Sequence, residues 1–256
     1  MSVESDEYLL SVANKYHIKR NIDFYTQMNV INPLINIIKQ WAGECLNYVY
    51  LSGSRAKGTA ISLSSDLDLF ISLRSDTENT LEEIYNSLDN FLVHRGFKTR
   101  RQNVSIGVHV GGKQVDLVPA KKRPGNTNYH SLYISKRNTW TQTNVIEHIN
   151  KVKNSGRITE IVLLKIWRKL HKLEFPSIYL ELTVIEALKG KSKNDLANNF
   201  WYMLQYLRDV FVGKTIVDPA NSNNVISDDL YKYEKEAIRK QANYSLSKKY
   251  WKDIIW

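Results

Sequence analysis

A single cysteine, Cys45, is all that the 256 residues contain. That excludes an intramolecular disulfide and a cysteine-rich zinc site, and makes a reducing, cytoplasmic setting the expectation. The six histidines show no metal-ligand spacing. No apolar run approaches the roughly 20 residues that cross a bilayer, and no signal peptide opens the chain, so no membrane partner is expected. Internal repeats and low-complexity tracts are missing as well. Acidic residues are scarce beside basic ones, 26 Asp and Glu against 36 Lys and Arg, a net charge of +10. Such an excess suits a polyanionic partner: a nucleoside triphosphate, RNA or another nucleic acid on a basic surface. Spread thinly, the same lysines serve solubility alone.

What is present centres on Leu51 to Leu73, LSGSRAKGTAISLSSDLDLFISL. It opens on a small-residue turn, Gly53-Ser54, whose backbone N–H groups suit phosphate oxygens. It closes on a predicted strand, 66–73, carrying Asp66 and Asp68. Residues two apart on a strand share a face about 7 Å apart, while Leu67 and Leu69 point into a core. A third acid comes later. The run 104–110, a Gly111-Gly112 turn and the run 113–119 read as a β-hairpin, with Asp116 between Val115 and Leu117. Any one such acid more often belongs to the solvated face of a half-buried sheet. Three on neighbouring strands, behind a Gly-Ser turn, repel one another unless a cation is bound. Two Mg²⁺ (or Mn²⁺) ions held by Asp66, Asp68 and Asp116 relieve that repulsion and suit in-line phosphate chemistry. The basic run Lys121 to Arg123 follows the Asp116 strand directly and is expected beside the site.

Around this stretch the pattern predicts a helix over 5–20, then a second helix with Asn32 as N-cap, Pro33 in its first turn and a stop at Gly43. A strand over 47–51, a short helix within 54–60 and an amphipathic helix over 79–95 follow. Residues 121–143 are polar and read as a crossing between lobes. Helices are then predicted over 144–154, 158–172, 177–189, 193–212 and 227–244. The fold class is α+β: a mixed sheet with helices on one face, plus a C-terminal helical lobe, bilobed, divided as 1–135 and 136–256. Lys165 lies on a helix apolar around most of its circumference, so its ammonium either meets an anion or snorkels to solvent. Arg168 and Lys169 extend it into a cationic edge. Ser177 opens the next helix, where capping is the usual role, Tyr179 adjoins core positions, and Glu181 is expected to make a structural hydrogen bond. The run Asp218 to Val225, DPANSNNV, reads as a turn.

Taken together, GSRAKGTAI, SDLDLFISL and VDLVPA resemble the DNA polymerase β type nucleotidyltransferase superfamily. Within it the sequence is most similar to the branch of cGAS/DncV-like nucleotidyltransferases (CD-NTases), oligoadenylate synthases and archaeal CCA-adding enzymes, over roughly residues 45–226. The resemblance implies a polymerase β-like fold and transfer of a nucleotidyl group from a nucleoside triphosphate, ATP among them. It implies Asp66, Asp68 and Asp116 as catalytic metal ligands, with Gly53, Ser54, Lys165, Ser177 and Tyr179 as nucleotide contacts. It further implies synthesis of cyclic or linear oligonucleotide signals in bacterial antiphage defence, and a regulatory partner protein. The alternatives are a nucleotidyltransferase acting on RNA or tRNA 3′ ends, for which the sequence as given leaves no room for separate tRNA-gripping domains, and an inactive nucleic-acid-binding module.

Overall fold

The structure is a computed structural model that describes residues 3–18, 21–64 and 66–256. It divides into two compact units: Lys19–Lys57 with Ser65–Ile149, and Met1–Ile18 with Gly58–Ser64 and Asn150–Trp256. The first helix, α1 (Val3–Tyr16), belongs to the second of these and buries Leu9, Val12 and Ala13 at helical spacing. It begins before the predicted 5–20 span and ends at Tyr16; the predicted final residues, Lys19 and Arg20, lie outside the described residues.

The sheet unit begins with a short helix, α2 (Phe24–Thr26), capped by Asp23, whose carboxylate accepts the Thr26 N–H at 2.8 Å. One wide π-turn, Gln27–Ile31, carries the chain into α3 (Asn32–Ala42). Asn32 is therefore not the predicted cap. It lies inside a continuous helical run, its N–H donating to the Gln27 carbonyl. Pro33 lacks an N–H and crowds the carbonyl four residues back, and a wide turn ahead of it eases both effects.

Next come β1 (Leu46–Leu51), α4 (Gly53–Lys57), β2 (Leu67–Leu73) and α5 (Leu81–His94), then β3 (Arg100–Arg101), β4 (Ile106–Val110) and β5 (Lys113–Lys122). Thr80 and Glu83 form a capping box at the start of α5. The β4–β5 hairpin turns on Gly111-Gly112, at φ +55° and +74°, the backbone that a two-residue turn of this kind requires. Strand order is β1-β2-β5-β4-β3, with β2 and β5 parallel and the other neighbours antiparallel. Leu67, Leu69, Ile71, Val115 and Leu117 pack with α3 and α5 in one core. By strand alternation Asp68, Phe70, Asp116 and Ala120 take the opposite face, where Phe70 and Ala120 join Leu132 in a smaller cluster.

The stretch predicted as a crossing is sheet instead. It holds the end of β5, β6 (His130–Ile134) and β7 (Thr139–Thr143), with β6 pairing both β5 and β7. Its β-branched and aromatic residues, with Asn138 supplying the left-handed turn at φ 45°, outweigh its overall polarity. The chain passes to the second unit within α6 (Val145–Lys153).

That unit is built on α7 (Ile158–Leu170), buried continuously from Glu160 to Arg168, with α8 (Ser177–Ala187), α9 (Leu196–Asp209) and α10 (Lys232–Leu246). Trp167, Tyr179, Phe200 and Phe211 fill its core, and the Trp167 indole donates to the Ser245 hydroxyl at 3.0 Å. DPANSNNV forms the hairpin of β8 (Val217–Asp218) and β9 (Asn221–Val225). There Asp218 accepts the Ala220 N–H at 2.8 Å and the Asn224 amide at 3.0 Å, the side-chain-to-backbone bonding of such turns.

Candidate active site

In the sheet unit, parallel pairing of β2 and β5 sets Asp68 directly against Asp116. The Gly53 turn is tied to the same strand, since both the N–H and the hydroxyl of Ser52 donate to the Asp68 carbonyl, at 2.8 and 3.3 Å. Each of the two acids faces a glycine. At Gly53, φ +59°, a Cβ would come within 1.8 Å of the Asp68 carboxylate. Gly107 pairs with Asp116 across β4 and β5, and a Cβ there would meet the Asp116 carboxylate at 3.1 Å. At Gly53 a side chain and the Asp68 carboxylate could not both keep their places, while at Gly107 a side chain would crowd Asp116. Ser54 is half-buried within α4.

Asp66 is placed differently from expectation. β2 starts at Leu67, so Asp66 lies just ahead of the strand and is exposed. The two-residue strand spacing therefore does not apply to the Asp66–Asp68 pair. Asp116 is the enclosed member, its side chain 14% exposed. It accepts the Gln102 amide at 2.7 Å, and the Arg100 guanidinium stands 3.7 Å away. Burial pushes its carboxyl above the ordinary value and the charge of Asp66 adds to the rise, opposed by Gln102, Arg100 and Gln114. Gln102 and Arg100 sit outside the acidic motifs, and only the pairing of Arg100 with Gly107 on β4, with Gln102 in the turn that follows β3, brings them to Asp116.

Among the described residues no three His, Cys, Asp or Glu side chains are gathered closely enough to hold a metal. Asp66 lies out in solvent and Asp116 is turned to Gln102. The donor set nonetheless fits a divalent cation: hard carboxylate oxygens, one of them held in a destabilised charge state that an added cation relieves.

The Lys121 to Arg123 run is not beside these acids. Lys121 pairs with Leu73 at the far end of β2, five residues along β5 from Asp116, or about 17 Å of strand. It lines a separate surface groove with Asn79, Thr80 and Trp140.

In the helical unit, Lys165 is buried as its apolar helix predicts. Its ammonium donates to the Glu181 carboxylate at 2.6 Å and to the Thr59 hydroxyl at 2.8 Å. Glu181 thus makes the structural bond expected of it. Ser177 is the first residue of α8 and exposed; Pro176 holds the cap position, so the expected capping bond is missing, and Ser177 accepts from Arg168 at 3.2 Å instead. Tyr179 is fully buried, edge-on to Phe175 and tilted against Phe211, and burial raises its hydroxyl pKa.

With this geometry in view, the sequence matches the family model of the nucleotidyltransferase domain over residues 31–185. The chain belongs to the nucleotidyltransferase domain family. No curated protein matches it. Among solved structures it is similar to CdnC of E. coli MS115-1 with ATP, at 20% identity and a TM-score of 0.76 over 93% of this chain and 89% of that one. It is similar also to the CD-NTase CdnG of Bradyrhizobium diazoefficiens in complex with GTP, at 13% identity and 0.73 over 94% and 90%. The Cid1 poly(U) polymerase bound to MgATP matches at 13% identity and 0.68 over 97% and 96%. At these identities the likeness is one of fold, the mixed α+β architecture of polymerase β-like nucleotidyltransferases. Nucleotidyltransferases of this fold generally use divalent metal ions. No helix among the described residues is long and apolar enough to cross a membrane.

Proposed function

We propose that the chain joins nucleoside triphosphates, without a template, into cyclic or linear oligonucleotide second messengers, releasing pyrophosphate, in bacterial antiphage defence. The observation that carries the reading is the pairing of Asp68 with Asp116, each seated against a glycine. The resemblance of GSRAKGTAI and SDLDLFISL to the CD-NTase branch directs it toward a nucleotide acceptor. The likeness of fold to CdnC and CdnG over about nine tenths of each chain agrees. CdnC is also known in a complex with HORMA-deltaN, which motivates the proposal of a regulatory partner protein.

In this mechanism a hydroxyl of the acceptor attacks the α-phosphorus, the bond to the bridging oxygen breaks, and pyrophosphate departs. Asp66, Asp68 and Asp116 would hold two divalent cations, which when bound supply charge neutralisation for the triphosphate. Asp116, its carboxyl pushed up by burial, helps to take the proton of the attacking hydroxyl. Gly53 and Ser54 receive the triphosphate, and Ser177 offers its exposed hydroxyl to the phosphate tail. Direct nucleotide contacts by Lys165 and Tyr179 require both to leave buried partners, so they enter as supports of the helical unit.

A second reading, addition of nucleotides to RNA 3′ ends, draws on the fold likeness to the Cid1 poly(U) polymerase and the +10 charge. The test is incubation with all four labelled nucleoside triphosphates and Mg²⁺ or Mn²⁺, with and without RNA, followed by phosphatase and chromatography. Small phosphatase-resistant products formed without RNA are expected. Label confined to added RNA would overturn the signal-synthase reading in favour of the second.

A further inference from the structure

The GSRAKGTAI motif ends in a part that the proposed mechanism leaves unused. Gly58–Ser64 belongs to the helical unit, although in sequence it joins α4, at Lys57, to the strand that bears the acids. Gly53 lies six positions before Thr59, and Asp66 seven positions after it. The segment is held hard within its unit. Its backbone is tied to the end of α1 by Ile18 N–H to the Ala60 carbonyl at 2.9 Å and Ser62 N–H to the Tyr16 carbonyl at 2.8 Å. The His17 ring meets the Gly58 carbonyl at 2.9 Å. Thr59, Ala60 and Ile61 are all essentially inaccessible to solvent.

Its side-chain anchor is a buried triad. The Thr59 hydroxyl donates to Glu181 Oε1 at 2.8 Å and accepts from Lys165 Nζ at 2.8 Å, while Lys165 and Glu181 pair at 2.6 Å. A hydroxyl can donate to this anion and accept from this cation at once, which no apolar side chain of its size can do. Sequestered from water, each bond is worth more than at a surface and each broken bond leaves a buried polar group stranded.

We infer that Thr59 is a positioning residue for nucleotidyl transfer: locked between Lys165 and Glu181, it fixes the point from which the chain departs toward Gly53-Ser54 on one side and Asp66 and Asp68 on the other. The inference rests on the nucleotidyl-transfer reading. Reaction geometry of this kind tolerates little error, since a misplacement of about 1 Å costs on the order of 10²-fold in rate.

The test compares Thr59→Val, which keeps the shape and removes both bonds, with Thr59→Ser, which keeps the hydroxyl. Two readouts are taken: hydrogen–deuterium exchange of residues 53–68 without substrate, and kcat and KM for the labelled triphosphate. Thr59→Val is expected to stay folded, to exchange faster across 53–57 and 66–68, and to lose on the order of 10²-fold in kcat with a much smaller change in KM; Thr59→Ser restores both. Wild-type exchange and kcat in Thr59→Val overturns the inference, as does a Thr59→Ser variant that is folded yet as impaired as Thr59→Val. Because exchange is read without turnover, an inactive wild type overturns the nucleotidyl-transfer reading while the exchange comparison still decides whether Thr59 anchors the segment.

Discussion

Two ionic groupings, one in each unit, differ in how nearly they are closed. In the helical unit Lys165, Glu181 and Thr59 satisfy one another, with opposite charges 2.6 Å apart. In the sheet unit Asp116 has the Gln102 amide at 2.7 Å, the Gln114 side chain and a guanidinium at 3.7 Å, and a second carboxylate pairs with it across the strands. The closed grouping lowers its own electrostatic energy and so reads as architecture. The open one retains an electrostatic deficit, the condition in which a protein accepts a cation from outside.

The largest expected effect lies at the open grouping. Asp116→Asn or Asp68→Asn should reduce label incorporation by on the order of 10³-fold or more. Asp116→Asn should melt no lower than wild type at neutral pH. The sign follows from the raised carboxyl: the native state holds the proton more tightly than the unfolded chain, so ionisation above the folded pKa is a destabilising term that the amide removes. A melting temperature well below wild type would put Asp116 among the closed groupings.

Breaking the closed grouping should do the opposite, costing the fold first. Glu181→Ala leaves the Lys165 ammonium buried without its anion and should destabilise by about 3–5 kcal/mol, read by chemical denaturation. Replacing Lys165 and Glu181 together by Met and Leu should recover most of that loss, and a double variant no better than the single would mean the pair is held for more than charge balance.

Acidification probes both units at once. His130 in the sheet unit donates from Nδ1 to the Asn128 carbonyl at 2.9 Å, so Nε2 accepts from Ser72 at 2.8 Å. His171 in the helical unit donates to the Ile254 carbonyl at 2.8 Å. Burial holds both below 6.5, so the unfolded chain takes up protons first, and stability is lost as pH falls through 6.5 toward the folded values. Thermal melts from about pH 8 to pH 5 should show this loss, and His130→Gln should flatten it in part. The smallest effect is at the exposed Arg74–Asp76 pair, 2.5 Å apart: Arg74→Ala should leave the melting temperature within experimental error.

The local elements were legible where the chemistry is local. The Gly111-Gly112 hairpin, the helix with Thr80 and Glu83 at its start, and the apolar helix burying Lys165 are all written within a few residues. Asn32 and Pro33 read as a helix start because the wide turn before them leaves no mark in composition. Residues 130–143 were lost as strands because one edge of the sheet stays wet and polar. At the candidate site, the acids and the Gly-Ser turn stand out in sequence, but Gln102 does not. It reaches Asp116 from the turn after β3, and amide side chains carry no spacing rule. Thr59 lies inside a visible motif, yet its partners sit 106 and 122 residues away, beyond any local pattern.

The glycines opposite the two acids also carry a practical consequence. Gly53 and Gly107 reserve volume for Asp68 and Asp116 by having no side chain of their own, so the site can be silenced from the outside, by filling a reserved space while every acid stays in place. A Gly53→Ala protein would keep its full complement of carboxylates and its surface charge, and would serve as a catalytically mute decoy for asking which cellular partners bind the folded chain rather than its product.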